Sequence, residues 1–340
     1  MDTIKEKIID DILSSTEFEK RFYRRKELYN NILEIIPQRY EDICGSQDKR
    51  IHWLAFRLAT FSNELVFKRL DLLIGESKKI NGWSNEFRDR GVEFMRDYAK
   101  FFQELWMLQC AEYLNNPERT ISFYGKKGKN GKAAPDIMIQ QGDRTKYVEC
   151  YVYSKWWFDE NCLEEIIQLI NPNFFIKRKH NLKAINAKKS IDSLYLFINS
   201  IFKTDKIKKA QIEADKSSPF IFDFKSDLFA LGLSGKGQYS PGENAHGEPI
   251  LSAPVFLREI LSKKNNSNDL KNHHPNILMV NGLGYDYKAM LSEIDDSKVE
   301  KNIDRLPHEH KNNIDQLMLT ACDIDQKMSE NKERIFSIIN

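Results

Sequence analysis

Apolar positions in the first 80 residues recur at helical spacing. The stretch FEKRFYRRKELYNNILEII follows a capping-box pair, Thr16 and Glu19, and ends at Pro37. A second apolar stripe runs over residues 49–73. The pattern therefore predicts an N-terminal helical region that covers residues 1–82.

A further helical segment starts at Ser84 and ends at Asn115–Pro117, and after it the apolar period changes to that of strands. Short β-branched or aromatic runs bounded by turn residues predict strands at TISFY, in a hairpin near residue 145, at SPFIFDF and at PNILMVNG. Helical patterns lie between them. The order predicts an α/β fold, with a mixed central sheet flanked by helices, over residues 83–288. Residues 289–340 are predicted to form an acidic helical tail.

Composition restricts the setting in which the protein works. Of its residues, 30% are charged and 41% are hydrophobic, and no apolar run approaches the roughly 18–20 residues of a membrane span. The five cysteines lack the paired CxxC spacing of a zinc site. We expect a cytoplasmic protein with reduced thiols and no membrane partner.

Charge is distributed unevenly along the chain. Residues 175–216 hold eleven Lys or Arg against four Asp or Glu, whereas residues 286–340 hold eight against twelve. Such polarity suits a protein that meets a polyanion on one side, although lysine-rich solvated helix faces would give the same count. Charge alone does not separate these two interpretations.

The hairpin near residue 145 carries the candidate chemistry. Its second strand, TKYVECYVYS, alternates cleanly, so Glu149 faces one side and Cys150 the other. Gly142–Asp143 is a favoured two-residue hairpin loop, and a turn there places Asp136 directly opposite Glu149.

Two opposed carboxylates repel each other and weaken a hairpin. A divalent cation that bridges them turns the repulsion into ligation. The pair therefore predicts a site for a divalent cation at Asp136 and Glu149. A surface hairpin of different register, in which the two acids do not meet, is the alternative.

These pieces resemble the PD-(D/E)XK nuclease superfamily, whose core is restriction-endonuclease-like. The matching motifs are FFQELW with Glu104, ISFY, Pro135–Asp136 and Glu149-Cys150-Tyr151. The resemblance covers about residues 93–284. It implies that Asp136 and Glu149 hold Mg²⁺, with the Cys150 carbonyl as a further ligand and Glu104 acting through metal or water. A plain surface glutamate is the alternative for Glu104.

The lysine of that motif is missing, because Tyr151 stands in its place. A phenol is neutral at pH 7 and supplies no positive charge. Lys208, on the helix before SPFIFDF, and Lys155, if the strand bends, are the two candidates to replace it. An amine that reached the site would lie within about 6 Å of both carboxylates, where the Tyr151 ring could hold it.

A glycine and lysine loop, GKKGKNGK, precedes Asp136. Its spacing is not that of a phosphate-binding Walker loop. Phosphates that enter the site would pass its four lysines, so we expect these to bind nucleic acid, with a merely flexible loop as the alternative. The four are Lys126, Lys127, Lys129 and Lys132.

The resemblance implies a divalent-metal-dependent endonuclease, acting on DNA in preference to RNA, of the restriction or phage-defence type. It would work as a homodimer or as one subunit of a complex. The second hypothesis is a DNA-binding or assembly subunit that keeps the nuclease fold with weak or lost catalysis. A fold resemblance alone does not separate the two.

Overall fold

A computed structural model gives the architecture of the chain. It describes residues 2–43, 52–83, 98–124, 134–153, 157–178, 187–217, 219–226, 228–237, 253–265, 267–282, 290–291, 295–323, 327 and 334–338. Within these ranges the fold is α/β, with a mixed six-stranded sheet flanked by helices. The predicted class is confirmed. None of the described helices has the length and apolar character needed to cross a membrane.

The N-terminal region is helical, as predicted, but its helices are shorter than the apolar stripes. They are α1 (Asp2–Leu13), α2 (Thr16–Leu28), α3 (Asn30–Leu33), α4 (Trp53–Thr60) and α5 (Glu64–Ser77). Polar caps divide them. The side chain of Asn63 accepts a hydrogen bond from Leu65 N at 3.0 Å and starts α5. Ser15, one residue before the predicted cap Thr16, accepts one from Glu17 N at 3.2 Å.

The remaining elements alternate between strands and helices. The strands are β1 (Thr120–Phe123), β2 (Ile137–Gln141), β3 (Arg144–Tyr153), β4 (Phe174–Arg178), β5 (Phe220–Ile221), β6 (Phe229–Leu233), β7 (Asn276–Gly282), β8 (Gln316–Thr320) and β9 (Arg334–Ser337). The helices are α6 (Tyr98–Leu114), α7 (Trp157–Ile170), α8 (Ala187–Phe202), α9 (Lys206–Ser217), α10 (Ala253–Asn265), α11 (Asn268–Lys271) and α12 (Asp296–Arg305).

The six-stranded sheet has the order β1-β2-β3-β7-β8-β9. Strands β3, β7 and β8 pair in parallel, while the other pairs are antiparallel. Because β7 and β8 lie inside the sheet with helices on its faces, their sequences are almost continuously apolar.

Helices cover the two faces of this sheet with different side chains. On one face, Trp106 of α6 donates a hydrogen bond to Met279 O at 3.1 Å, and Cys110 contacts Cys150. On the other face, α10 and α12 bury a core around Leu278 and Val280. Alternation along β3 therefore directs Glu149 and Tyr151 towards the α10 side and Cys150 towards α6.

The hairpin has the register that the sequence predicts. Ile137 pairs with Val148, Met138 pairs with Tyr147, and the turn falls at Gly142–Asp143. Gly142 has φ +57°, a left-handed conformation that glycine adopts without the clash of a Cβ atom. The alternative register is excluded.

The segment SPFIFDF does not form the strand that its pattern predicts. Only Phe220–Ile221 is extended, and it belongs to a separate antiparallel sheet of order β4-β6-β5. The prediction missed β4 and β6. In β6, Gly232 leaves room for the Phe175 ring, because a Cβ there would overlap it.

The chain divides into two compact units, each made of separate stretches. One unit comprises Met1–Phe22, Arg39–Ile51 and Lys155–Glu248, and the other Tyr23–Gln38, His52–Ser154 and Pro249–Asn340. The predicted boundaries at 82 and 288 do not follow these units. The prediction of a helical tail is wrong in part. The tail contains helix α12 but also strands β8 and β9. Its apolar run QLMLT has the length of a strand and is buried in the central sheet.

Candidate functional site

Asp136 lies at the start of β2. Its Oδ2 accepts a hydrogen bond from Cys150 N at 2.8 Å, and its carbonyl accepts one from Tyr124 N at 3.0 Å. Continuing the hairpin register by one residue places Asp136 across from Glu149, as predicted. Asp136 is half-buried and Glu149 is buried. Two carboxylates therefore share one small area on the α10 side of the sheet.

The amine of Lys264 reaches this area from the last turn of α10. Its Nζ lies 2.7 Å from Glu149 Oε1, and the two side chains are only 14% and 9% exposed. Burial by itself would lower the pKa of Lys264. Glu149, followed by Asp136 and Tyr151, outweighs burial and raises that pKa above its ordinary value. Lys264 is therefore a cation over the physiological pH range.

Tyr151 forms a second contact with this ammonium. Lys264 Nζ lies 4.6 Å from the centroid of the Tyr151 ring, within the range of a cation–π interaction. The neighbouring Lys263, which is exposed, donates a hydrogen bond to the Tyr151 hydroxyl at 2.9 Å. Tyr151 thus contacts two lysines of α10.

Helix α10 carries Lys264 at a position where its sequence would otherwise place an apolar residue. Its buried stripe comprises Phe256, Leu257, Ile260 and Leu261. The next position at helical spacing is 264. Lys264 could have been found from the sequence, because a lysine that continues an apolar helical stripe is unusual. Sequence reasoning missed it.

The end of α10 is held by a buried amide beside Lys264. Asn265 is 2% exposed, and its Nδ2 donates to Glu309 O and to Asn312 Oδ1, each at 2.8 Å. Asn313 N donates to Asn265 Oδ1 at 2.7 Å. Because these bonds satisfy the amide on both sides, they fix the backbone from which Lys264 projects.

The described lysine that contacts Glu149 is Lys264, which sequence reasoning did not propose. Lys208 belongs to the other compact unit, where its side chain is 85% exposed and its Nζ lies 3.8 Å from Asp205. On the same helix, the side chain of Gln211 points into that unit, where its Oε1 accepts a hydrogen bond from Asn171 Nδ2 at 2.9 Å. Lys155 lies outside the described residues, as do the loop lysines Lys126, Lys127, Lys129 and Lys132.

The structure shows where Cys150 and Glu104 lie, but it does not test the roles at the metal that were predicted for them. Burial raises the pKa of the Cys150 thiol well above its ordinary value, and the Cys110 thiol raises it further, so Cys150 is a core thiol and not a nucleophile. Glu104 is half-buried on α6. Helix α6 contacts the sheet on the face opposite the one that carries Glu149. A role of Glu104 at the metal stays a prediction.

The acid pair has the composition of a magnesium site. Mg²⁺ usually keeps several waters and takes one or two protein carboxylates, which matches Asp136 and Glu149. Within the part of the chain that the structure describes, no cluster of three or more His, Cys, Asp or Glu side chains is arranged around a metal position. A cation held here would therefore depend on two carboxylates, with backbone and water as further ligands.

Comparison with known proteins does not assign the site. No family model, curated protein or solved structure matches this chain.

Proposed function

We propose that the chain is a divalent-metal-dependent nuclease of the PD-(D/E)XK type in which Lys264 takes the place of the motif lysine. The observation that carries the proposal is the contact between Lys264 Nζ and Glu149 Oε1, at 2.7 Å, on the sheet face that also carries Asp136. A helix distant in sequence supplies the positive charge that the motif itself lacks.

Each residue then has a defined part in phosphodiester hydrolysis. Asp136 and Glu149 hold Mg²⁺ or Mn²⁺, with the Cys150 carbonyl as a proposed further ligand. When bound, such an ion lowers the pKa of a water and takes up charge that develops on the phosphate. Lys264 places an ammonium beside the same acids, where it donates hydrogen bonds to a phosphate oxygen and orients the attacking water. The Tyr151 ring keeps that ammonium in position.

DNA is the proposed substrate, in a restriction or phage-defence setting. Four lysines of α9 are exposed and lie in the basic segment 175–216, in keeping with a polyanionic partner. They are Lys206, Lys208, Lys209 and Lys216.

The second candidate function is a DNA-binding or assembly subunit that has lost catalysis. That hypothesis expects no amine beside the acids, because a subunit that does not cut has no catalytic need for one. Lys264 is buried against Glu149, and burying a charge is unfavourable unless the charge is paired. The observation therefore favours the enzyme.

Cleavage assays separate the two. Circular single-stranded and supercoiled double-stranded DNA are incubated with the protein in Mg²⁺ or Mn²⁺. We expect the native protein to cut at least one of them and Lys264→Met to lose at least about 100-fold in rate. The matched control Lys68→Met, at an exposed lysine of α5, should retain activity. An inert native protein that gains activity through Tyr151→Lys would instead support the binding subunit.

Calorimetry with Mn²⁺ tests the ligands independently of cleavage. Asp136→Asn and Glu149→Gln should each remove most of the binding, because each deletes an anionic ligand. Lys264→Met should bind Mn²⁺ at least as tightly as the native protein, because the ammonium that competes for Glu149 is gone. Unchanged affinity in both acid variants would rule out the acid pair as the metal site.

A further inference from the structure

Three aromatic rings cluster on the sheet face that carries the acid pair. The ring centroids of Tyr147 and His273 are 4.9 Å apart, and Tyr124 lies 6.1 Å from Tyr147 and 6.0 Å from His273. All three contacts are edge-to-face, with interplanar angles between 66° and 76°. Each of the three residues is half-buried, so the cluster borders solvent and is not part of the closed core.

The cluster adjoins the acids through the backbone of the sheet. Tyr124 N donates to Asp136 O at 3.0 Å, which places Tyr124 across from Asp136 on the next strand. Tyr147 precedes Glu149 by two residues, about 7 Å along β3 and on the same face. Lys264 and Lys263 contact Glu149 and Tyr151 from the opposite direction along the strand. The acids therefore lie between two ammonium groups and three aromatic rings.

Backbone hydrogen bonds hold the rings in place. Tyr147 N donates to Pro275 O at 3.0 Å, and His273 N donates to Leu270 O at 3.1 Å. Leu270 is fully buried in the core beneath α10. The connection that carries His273 is thus tied to β3 on one side and to the core on the other, so the three rings are positioned in advance of any ligand.

We propose that Tyr124, Tyr147 and His273 form a stacking platform for an unpaired base, and that the substrate is single-stranded nucleic acid or a strand with an unpaired nucleotide at the cleavage point. The inference rests on the proposed function for the identity of the ligand. With a phosphate at the acids and lysines, the Tyr147 ring would lie about 7 Å further along β3, within reach of a neighbouring base. In a duplex each base is covered by its neighbours, so only an unstacked base can pack against protein rings.

Binding in metal-free buffer tests the platform without cleavage. The probes are a single-stranded oligonucleotide that contains 2-aminopurine and its fully paired duplex, followed by fluorescence. We expect the native protein to prefer the single strand and to quench the probe. Tyr147→Leu should weaken single-strand binding by about tenfold, while Tyr147→Phe, which keeps the ring, should bind like the native protein. Tyr113→Leu, at a half-buried tyrosine on α6, is the matched control and should leave binding unchanged.

The outcomes distinguish this inference from the proposed function. If Tyr147→Leu folds, as judged by its thermal transition, and binds the single strand with unchanged affinity, the platform is wrong and the rings serve only packing. Equal affinity of the native protein for duplex and single strand would also overturn it. A protein that cuts nucleic acid without ring dependence keeps the nuclease and loses the platform. An inert protein with ring-dependent single-strand binding loses the nuclease and keeps the platform.

Discussion

At the scale of single residues, the pairing of Lys264 with Glu149 is the most consequential contact of the site. Both side chains are nearly enclosed, so removing either one leaves a buried charge without its counter-ion. Removing the lysine also restores the repulsion between Glu149 and Asp136. The pair therefore matters for stability whether or not the protein is an enzyme.

We expect Lys264→Met, in buffer with EDTA, to lower the free energy of unfolding by about 3 kcal/mol. The double variant Lys264→Met/Glu149→Gln should recover most of the loss, because it leaves no buried carboxylate unpaired. Urea denaturation measures both values. A Lys264→Met protein as stable as the native one would mean that water already solvates Glu149.

A second residue couples stability to pH. His52 caps α4, with Nδ1 accepting from Ala55 N and Nε2 bonded to Ile35 O, each at 3.2 Å. Burial lowers the pKa of His52 to about 3, against an ordinary value of 6.5. Its contribution to stability is therefore fully present above about pH 6.5 and is lost as the pH falls from 6.5 towards 3, because the unfolded chain binds the proton first.

His52→Asn keeps a cap acceptor but does not titrate in this range. Between pH 7 and pH 4 the native protein should lose more unfolding free energy than this variant. Parallel urea titrations at the two pH values give the comparison. Equal losses in the two proteins would show that the ring is protonated without cost in the folded state.

At the scale of elements, local patterns predicted the hairpin correctly but missed β4, β6, β8 and β9. The hairpin and its register followed from alternation and the Gly142–Asp143 turn, since both lie within a few residues of the strands that they join. The helix breaks were harder to predict, because caps such as Asn63 interrupt an apolar stripe that continues beyond them. Lys264 escaped prediction because its contact with Glu149 joins residues 115 positions apart.

The hairpin turn gives a direct test of this local control. A Cβ at Gly142 would meet no atom within 4 Å, so a substitution there is opposed only by the backbone conformation. Gly142→Ala should lower the free energy of unfolding by about 1 kcal/mol, and Gly142→Asn by less, since asparagine tolerates φ above zero better. Thermal denaturation of the two variants gives the order. Equal stabilities would indicate a turn that rearranges.

At the scale of the whole molecule, the central sheet collects strands from separate parts of the chain. Strand β7 pairs in parallel with β3 and with β8. Because parallel strands are joined by long crossover connections and not by tight turns, no turn residues in the sequence indicate these pairs. The predicted tail boundary at residue 288 therefore separated β8 and β9 from the sheet that they complete. The same limitation concealed the division of the chain into discontinuous units.

Two substitutions in residues 289–340, the segment predicted to be a tail, test whether its strands belong to the central sheet. Leu317 in β8 is fully buried, whereas Ile335 in β9 is 57% exposed. Leu317→Ala should lower the free energy of unfolding by about 3 kcal/mol, and Ile335→Ala by less than about 0.5 kcal/mol. Urea denaturation supplies both numbers. A mild effect of Leu317→Ala would place β8 outside the core.

The long interval between the acids and their lysine also orders events during synthesis. A ribosome adds about 5–20 residues per second, so the 115 positions from Glu149 to Lys264 take roughly 6–23 s to translate. Throughout that interval the nascent chain carries the carboxylate pair, but Lys264 has not yet been added and α10 is not complete. If the proposed function is right, a nascent chain that still lacks α10 cannot damage the nucleic acids around it. The same holds for a truncated chain whose synthesis stops before α10. The capacity to cut arises only after α10 has left the ribosome.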